Sequence, residues 1–248
     1  MNLFAISGLL IGISSLLLGL FVYFKNRKSR INQLFMCFAT AVSVWGFGGC
    51  KVGLTQDLSE AVFWWKITHI GIIFIPVFLC HLVYTFLKIR KGIILYLIYL
   101  SGFFFLILEW TPWSNIFFGP SDMRFIFSSF YWSSPSPPVY LSFVGWWFCV
   151  VIYSLYKLYK AFKNSIGLKR TQIKYFFLAM AIGFGGGGTC FLPNFGIRLY
   201  PILNFTVPLY PAIMAYGILK YRLMDIRIAL GKVFIYLATF SSVFALDS

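Results

Sequence analysis

The chain has 248 residues, of which 60% are hydrophobic and 11% charged, against about 45–50% apolar and about 25% charged in soluble domains. That balance excludes a soluble enzyme and a disordered chain, and it makes the bilayer the natural solvent. The formal charge of +15 does not point to nucleic acid as a partner, because the basic residues stand in short clusters between apolar runs rather than on a stripe or tail.

Seven stretches approach the roughly 20 apolar residues that a membrane helix needs. The first, residues 2–24, has no basic leader and no A-x-A cleavage site, so it reads as a retained helix, not a removed signal peptide. Lys25, Arg27, Lys28 and Arg30 separate it from the second span, 33–54. The third is 62–87, followed by Lys88, Arg90 and Lys91, and the fourth is 92–108. A long loop leads to the fifth, 139–156, after which come Lys157, Lys160, Lys163, Lys169, Arg170 and Lys174. The sixth is 175–192 and the seventh 201–219, followed by Lys220, Arg222, Arg227 and Lys232. Of the 21 basic residues, only Lys51, Lys66, Arg124 and Arg198 fall on the other side, with Asp57, Glu60, Glu109 and Asp122. The positive-inside rule puts the N-terminus outside and the exit of the seventh span in the cytoplasm. The basic loops then set topology and lie against anionic lipid head groups.

The expected architecture is an all-α, seven-helix membrane bundle over residues 1–232. Residues 233–248 read as the truncated start of a further hydrophobic helix, since the apolar run 233–246 is too short to span.

Gly183, Gly185 and Gly188, in "AIGFGGGGTCFLPNFG", satisfy G-x-G-x-x-G. A dinucleotide loop needs a strand before it and a polar helix start after it. This run lies inside the sixth apolar span and no Lys–Ser/Thr pair follows, so no nucleotide or other cofactor is expected. Small residues that let helices approach closely are the better explanation, with Gly183 and Gly187 as a G-x-x-x-G pair. A local break is the other expectation, because four successive glycines disfavour helix.

His69 and His81 both lie in the third span, twelve residues apart and about 120° around the axis, which is not an i, i+4 metal pair. The five cysteines have no zinc-like spacing and read as apolar packing residues, with a Cys50–Cys190 bridge as the alternative. No metal site, catalytic triad or carboxylate pair is expected. Ionisable groups near the apolar zone are functional candidates by default. Lys66 and His69 are i, i+3 and share a face, and Glu109 lies at similar depth. With Trp45, Trp65 and Trp110 they outline an outward-facing pocket for a small polar or amphipathic ligand of unknown identity. The competing explanation is a snorkelling Lys66 and a belt of interfacial tryptophans.

The loop from Trp110 to Pro138 is rich in aromatics and proline. Gly119–Asp122 reads as a turn between the aromatic runs 116–118 and 124–132, giving a hairpin that serves as a lid or an interfacial cap. The seventh span carries Pro201, Pro208 and Pro211, which suits a helix that bends. It has no lysine before Lys220, which argues against a retinal Schiff base.

The order of several segments carries a family likeness: "NQLFMCFATAVSVWGFG", "FWWKITHIGIIFIPVFLCHLVYTF", "TPWSNIFFG", "LKRTQIKYFFLA", "LPNFGIRLYPILNF" and "YGILKYRLMDIRIALGK". The chain resembles the N-terminal seven-helix membrane region of bacterial sensor histidine kinases. The resemblance implies a signal-input module in the bacterial plasma membrane, a homodimer in the full-length protein, and a C-terminal output. That output is a phosphoacceptor and ATP-binding kinase part, or in some cases a diguanylate cyclase. The chain stops at Ser248 with its only histidines in the membrane, so it reads as a fragment with no enzymatic activity of its own. Tyr221, Arg222, Asp225 and Arg227 would form the signal exit, with Arg222 and Asp225 paired at i, i+3 on a helical extension. A small transporter or permease is the main alternative; it predicts midplane polar groups and repeated broken helices. An intramembrane enzyme comes third, for want of catalytic pairs.

Overall fold

Long apolar runs can satisfy their backbone in hydrocarbon only by coiling into helices. The computed structural model describes residues 2–224. Its helices are α1 (Leu3–Lys25), α2 (Arg30–Leu54), α3 (Leu58–Phe86), α4 (Ile93–Trp110), a short α5 (Ser114–Phe118), α6 (Pro138–Lys163), α7 (Gly167–Gly188) and α8 (Leu209–Tyr221). Seven segments are long and apolar enough to cross a membrane. The sixth joins α7 to a 3-10 stretch, Thr189–Phe195, and the seventh joins a 3-10 stretch, Ile202–Thr206, to α8. Pro193 and Pro208 remove N–H groups that an unbroken α-ladder would use there. The apolar run 233–246 lies outside the described residues.

Local signals fix the helix starts. Asn2 Oδ1 accepts the Ala5 N–H at 2.8 Å and Asp57 Oδ1 accepts the Glu60 N–H at 2.8 Å. Each side chain satisfies a donor that the first helical turn leaves open. Asn2 also donates through Nδ2 to Gly53 O (2.6 Å) and Ser129 O (2.9 Å), tying the start of α1 to the end of α2 and to the loop above. Tyr200 Oη accepts the Phe4 N–H at 2.9 Å. Burial pushes the Tyr200 hydroxyl above the ordinary phenol range, and the Phe4 N–H pulls the other way.

α3 is the central helix, 78% buried over its apolar window, and α4 is peripheral at 28%. α2, α4 and α6 pack on α3, while α1 packs on α2, α7 on α6, and α8 on α7. Pro76 in α3 has no N–H for the carbonyl of Ile72. Trp147 of α6 supplies the missing donor, its Nε1 lying 3.0 Å from Ile72 O.

Two close helix approaches are ones the glycine run did not announce. A Cβ on Gly46 of α2 would stand 2.7 Å from Gly8 O and 2.9 Å from Gly12 Cα, both on α1. α2 and α3 meet in the same way at Gly71, where a Cβ would press on the backbone of Ala41 and Trp45. In the run itself, Gly183 faces Tyr210 and Gly187 faces the Trp45 ring, whereas Gly186 between them is the residue that meets backbone, the Leu203 carbonyl. The helix holds through all four glycines and changes to 3-10 only at Thr189, so the expected break falls after the run.

The long loop forms the hairpin, with a corrected turn. β1 (Met123–Ile126) pairs antiparallel with β2 (Phe130–Ser133), Met123 opposite Ser133 and Ile126 opposite Phe130. The chain reverses at Phe127 and Ser128, both at positive φ (53° and 50°), not at Gly119–Asp122. Residues 116–118 lie in α5 and Pro120–Asp122 form a 3-10 turn that leads into β1. Burial sets this register: Phe130 and Trp132 point inward, and Phe130 lies 4.5 Å from the Phe4 ring. All five cysteines are free, so Cys50 and Cys190 form no bridge.

Gly46→Val is expected to cost about 1–3 kcal/mol, because backbone cannot yield to the added carbons as a side chain can. Gly49→Ala, whose Cβ would meet only the Phe4 ring at 3.6 Å, should stay close to wild type. Reversible unfolding in detergent measures both, and equal losses would contradict the close α1–α2 crossing.

Candidate functional site

α3, α4 and α6 converge beneath the hairpin, and each contributes one polar side chain. His69 of α3, Glu109 of α4 and Tyr140 of α6 are all buried. Pro138 opens α6 and presets its first turn, which carries Tyr140 inward. His69 Nδ1 lies 3.1 Å from Glu109 Oε1, and Nε2 lies 3.1 Å from Tyr140 Oη. Aromatic rings close the site: Phe118 is 4.5 Å and Trp65 5.6 Å from the imidazole, centroid to centroid. Trp65 is itself held by a hydrogen bond from Nε1 to Tyr131 O of β2, 3.0 Å.

A charge left alone among these rings would cost several kcal/mol, so His69 and Glu109 depend on each other for their place in the cluster. Glu109 Oε2 has no hydrogen-bond partner among the described residues.

Tyr140 also lines a cavity between α2, α3, α6, α7 and α8. Trp45, Trp65, Trp132, Trp147 and Asn194 share its wall, with Gly183 and Gly187 on the α7 side. No ionisable side chain other than tyrosine and cysteine lines it.

The six candidate ligand residues therefore separate into three groups. His69 and Glu109 form the buried pair, and Trp45 and Trp65 line the cavity. Lys66 shares the His69 face in sequence only: its Nζ reaches outward to Ser114 Oγ at 3.5 Å. Trp110 is 48% exposed at the end of α4. Sequence reasoning missed Tyr140 and Asn194. Both are polar residues at the edges of apolar spans, a depth at which such residues deserved the same notice as Glu109. Among the described residues no group of three His, Cys, Asp or Glu is placed to hold a metal.

At the opposite, basic end, α8 closes at Tyr221, and Arg222 turns left-handed at φ 54°. The expected helical extension that would pair Arg222 with Asp225 is interrupted there, since a left-handed residue ends the α-ladder. Gln172 of α7 donates through Nε2 to the carbonyls of Tyr221 and Arg222, 3.0 Å each. The Tyr175 and Tyr221 rings stack at 4.9 Å beside this clamp. Asp225 and Arg227 lie outside the described residues.

Comparison with protein families matches residues 8–227 to the N-terminal 7TM region of histidine kinase. The chain belongs to this family. This histidine-kinase 7TM region is a multi-pass membrane protein, and its seven apolar helices are those that the family description requires. The match covers the membrane region and includes no kinase part. No curated protein and no solved structure matches the chain.

The buried His69–Glu109 contact makes a direct prediction. Glu109→Gln keeps a donor for His69 Nδ1 and should hold stability within about 1 kcal/mol, whereas Glu109→Ala strands that nitrogen and should cost about 1–3 kcal/mol or more. Thermal unfolding in detergent separates the two. Equal, large losses would show instead that the carboxylate charge holds the cluster.

Proposed function

We propose that this chain is the signal-input module of a bacterial sensor histidine kinase, set in the plasma membrane with its N-terminus outside. The observation that carries the proposal is the family match over residues 8–227. The geometry gives that module two ends. The hairpin end holds the His69–Glu109–Tyr140 cluster and the aromatic cavity, where a stimulus can alter packing. The basic end holds the Gln172 clamp, through which a change in α7 and α8 passes to Arg222 and onward. A stimulus that favours one of two packings at the first end shifts the population at the second by its differential affinity. The output is a C-terminal kinase part, the functional unit is a homodimer, and the basic loops rest on anionic lipid.

Transport is less well supported. A transporter places its discontinuous helices near the midplane in corresponding halves, whereas both 3-10 stretches here lie on the hairpin side, in adjacent spans.

Reading the coding sequence beyond codon 248 tests the output. An in-frame phosphoacceptor histidine followed by an ATP-binding part is the expected result. A stop codon with a stable product of this length would remove the one-chain kinase from consideration. Cysteine labelling tests the orientation: a membrane-impermeant maleimide should modify Ser121→Cys in intact cells and Asn164→Cys only after lysis, with the unsubstituted chain as blank. The reverse pattern would invert the module.

A further inference from the structure

The aromatic cavity carries an unused hydrogen-bonding group. Asn194 is 1% exposed and belongs to the cavity wall. Its Nδ2 donates to Ser136 Oγ (2.8 Å) and Ser133 O (3.3 Å), and its own carbonyl accepts the Ser136 N–H at 2.9 Å. The Ser133 carbonyl can only accept, which fixes the amide: nitrogen toward the hairpin, oxygen away from it. That oxygen, Oδ1, has no partner among the described residues. Leaving a buried acceptor empty costs about 1–3 kcal/mol, and buried polar groups in native proteins are rarely left so.

Three properties of the cavity define what would fill it. Carboxylate, ammonium, guanidinium and imidazole groups are all absent from its lining, so the occupant is neutral. Four tryptophans, with Phe38, Phe184 and other rings, form its walls, so the occupant is largely apolar and suited to aromatic contact. The cavity volume is about 40 Å³. One water needs about 10–15 Å³ of such space, so there is room for about three waters or one six-membered ring. Three side chains with an amide or hydroxyl line it, Asn194, Tyr140 and Tyr210, and of their polar atoms Asn194 Oδ1 and Tyr210 Oη have no hydrogen-bond partner among the described residues.

We propose that this cavity binds a small, neutral, single-ring molecule bearing a hydroxyl group, a ligand of the phenol class, whose O–H donates to Asn194 Oδ1. A hydroxyl also accepts, which suits the Tyr210 hydroxyl on the same wall, and Tyr140 of that wall joins the cavity to the His69–Glu109 pair. The glycine run makes the room. A Cβ on Gly187 would stand 2.9 Å from Trp45 Cη2, so any side chain there invades the cavity. Gly185, on the opposite side of the helix, would meet nothing within 4 Å. The proposal deepens the sensor reading by naming its ligand class, yet binding is measured on this chain alone and needs no output domain.

The experiment is calorimetric titration of the whole chain in lipid nanodiscs with phenol and with anisole, empty nanodiscs being subtracted. Anisole keeps the ring and the oxygen but lacks the donor. Saturable phenol binding at one site, at least about tenfold tighter than anisole, is the expected result, since a site built around a donor rejects the analogue without it. Asn194→Leu should bring phenol down to the anisole level, Gly187→Leu should abolish saturable binding, and Gly185→Ala should leave it unchanged. Equal binding of the two probes, no saturable binding above the nanodisc background, or binding that survives Gly187→Leu would each overturn the proposal. Should Asn194→Leu fail to fold, the ratio of phenol to anisole in the unsubstituted chain decides alone. Any of these failures leaves the sensor reading to be judged by the coding sequence beyond codon 248.

Discussion

Hydrocarbon offers no hydrogen bonds, and that constraint governs this molecule more than any single contact. Every polar group at depth must find its partner inside the protein. Serines in the spans donate back to their own helices, Ser43 Oγ to Ala39 O and Ser154 Oγ to Val150 O. Asn32 reaches across to the Val22 carbonyl, and Asn204 to Ser7 Oγ. Even the carbonyl freed by Pro76 has a donor, supplied by a tryptophan on another helix. Among the described residues the exceptions are eight buried side-chain atoms, the Asn32 and Asn204 amide oxygens included; two of them, Glu109 Oε2 in the His69 cluster and Asn194 Oδ1 beside the adjoining cavity, lie at the hairpin end.

Two kinds of packing divide the bundle. Along α1, α2 and α3 glycines bring backbone onto backbone. Around α6, α7 and α8 the fill is aromatic: Trp147 contacts Phe148, Phe184 and Phe191, and Phe38 contacts Tyr210. Rings interlock edge to face but leave gaps where three or four meet. The cavity lies where these two regimes join, with Trp45 of α2 reaching across to Gly187 of α7.

The spans and their order were legible in the sequence because length and apolarity decide them, and the basic clusters marked their ends. Helix ends were read too short wherever a charged residue was taken as a boundary: α6 runs on to Lys163, since lysines emerge from a helix without ending it. The hairpin was foreseen but its turn was misplaced, because Gly119–Asp122 carries better turn residues than Phe127–Ser129; burial of Phe130 and Trp132 overruled local preference. In the site, depth along each helix was readable and angle between helices was not. That is why His69 and Glu109 were matched by level, while Lys66 was wrongly grouped with them and Tyr140 was overlooked. Periodicity places a residue on one helix face, and only the packing of a second helix says what that face meets.

The bond between Trp147 and the Ile72 carbonyl has a mechanical meaning. To slide α6 along α3 by one turn, about 5.4 Å, would strand an indole N–H and a carbonyl together in a medium that satisfies neither. The His69–Tyr140 and Tyr84–Tyr153 bonds join the same two helices on either side of that point, so swivelling about it is resisted as well, and α3 and α6 are built to move as one body.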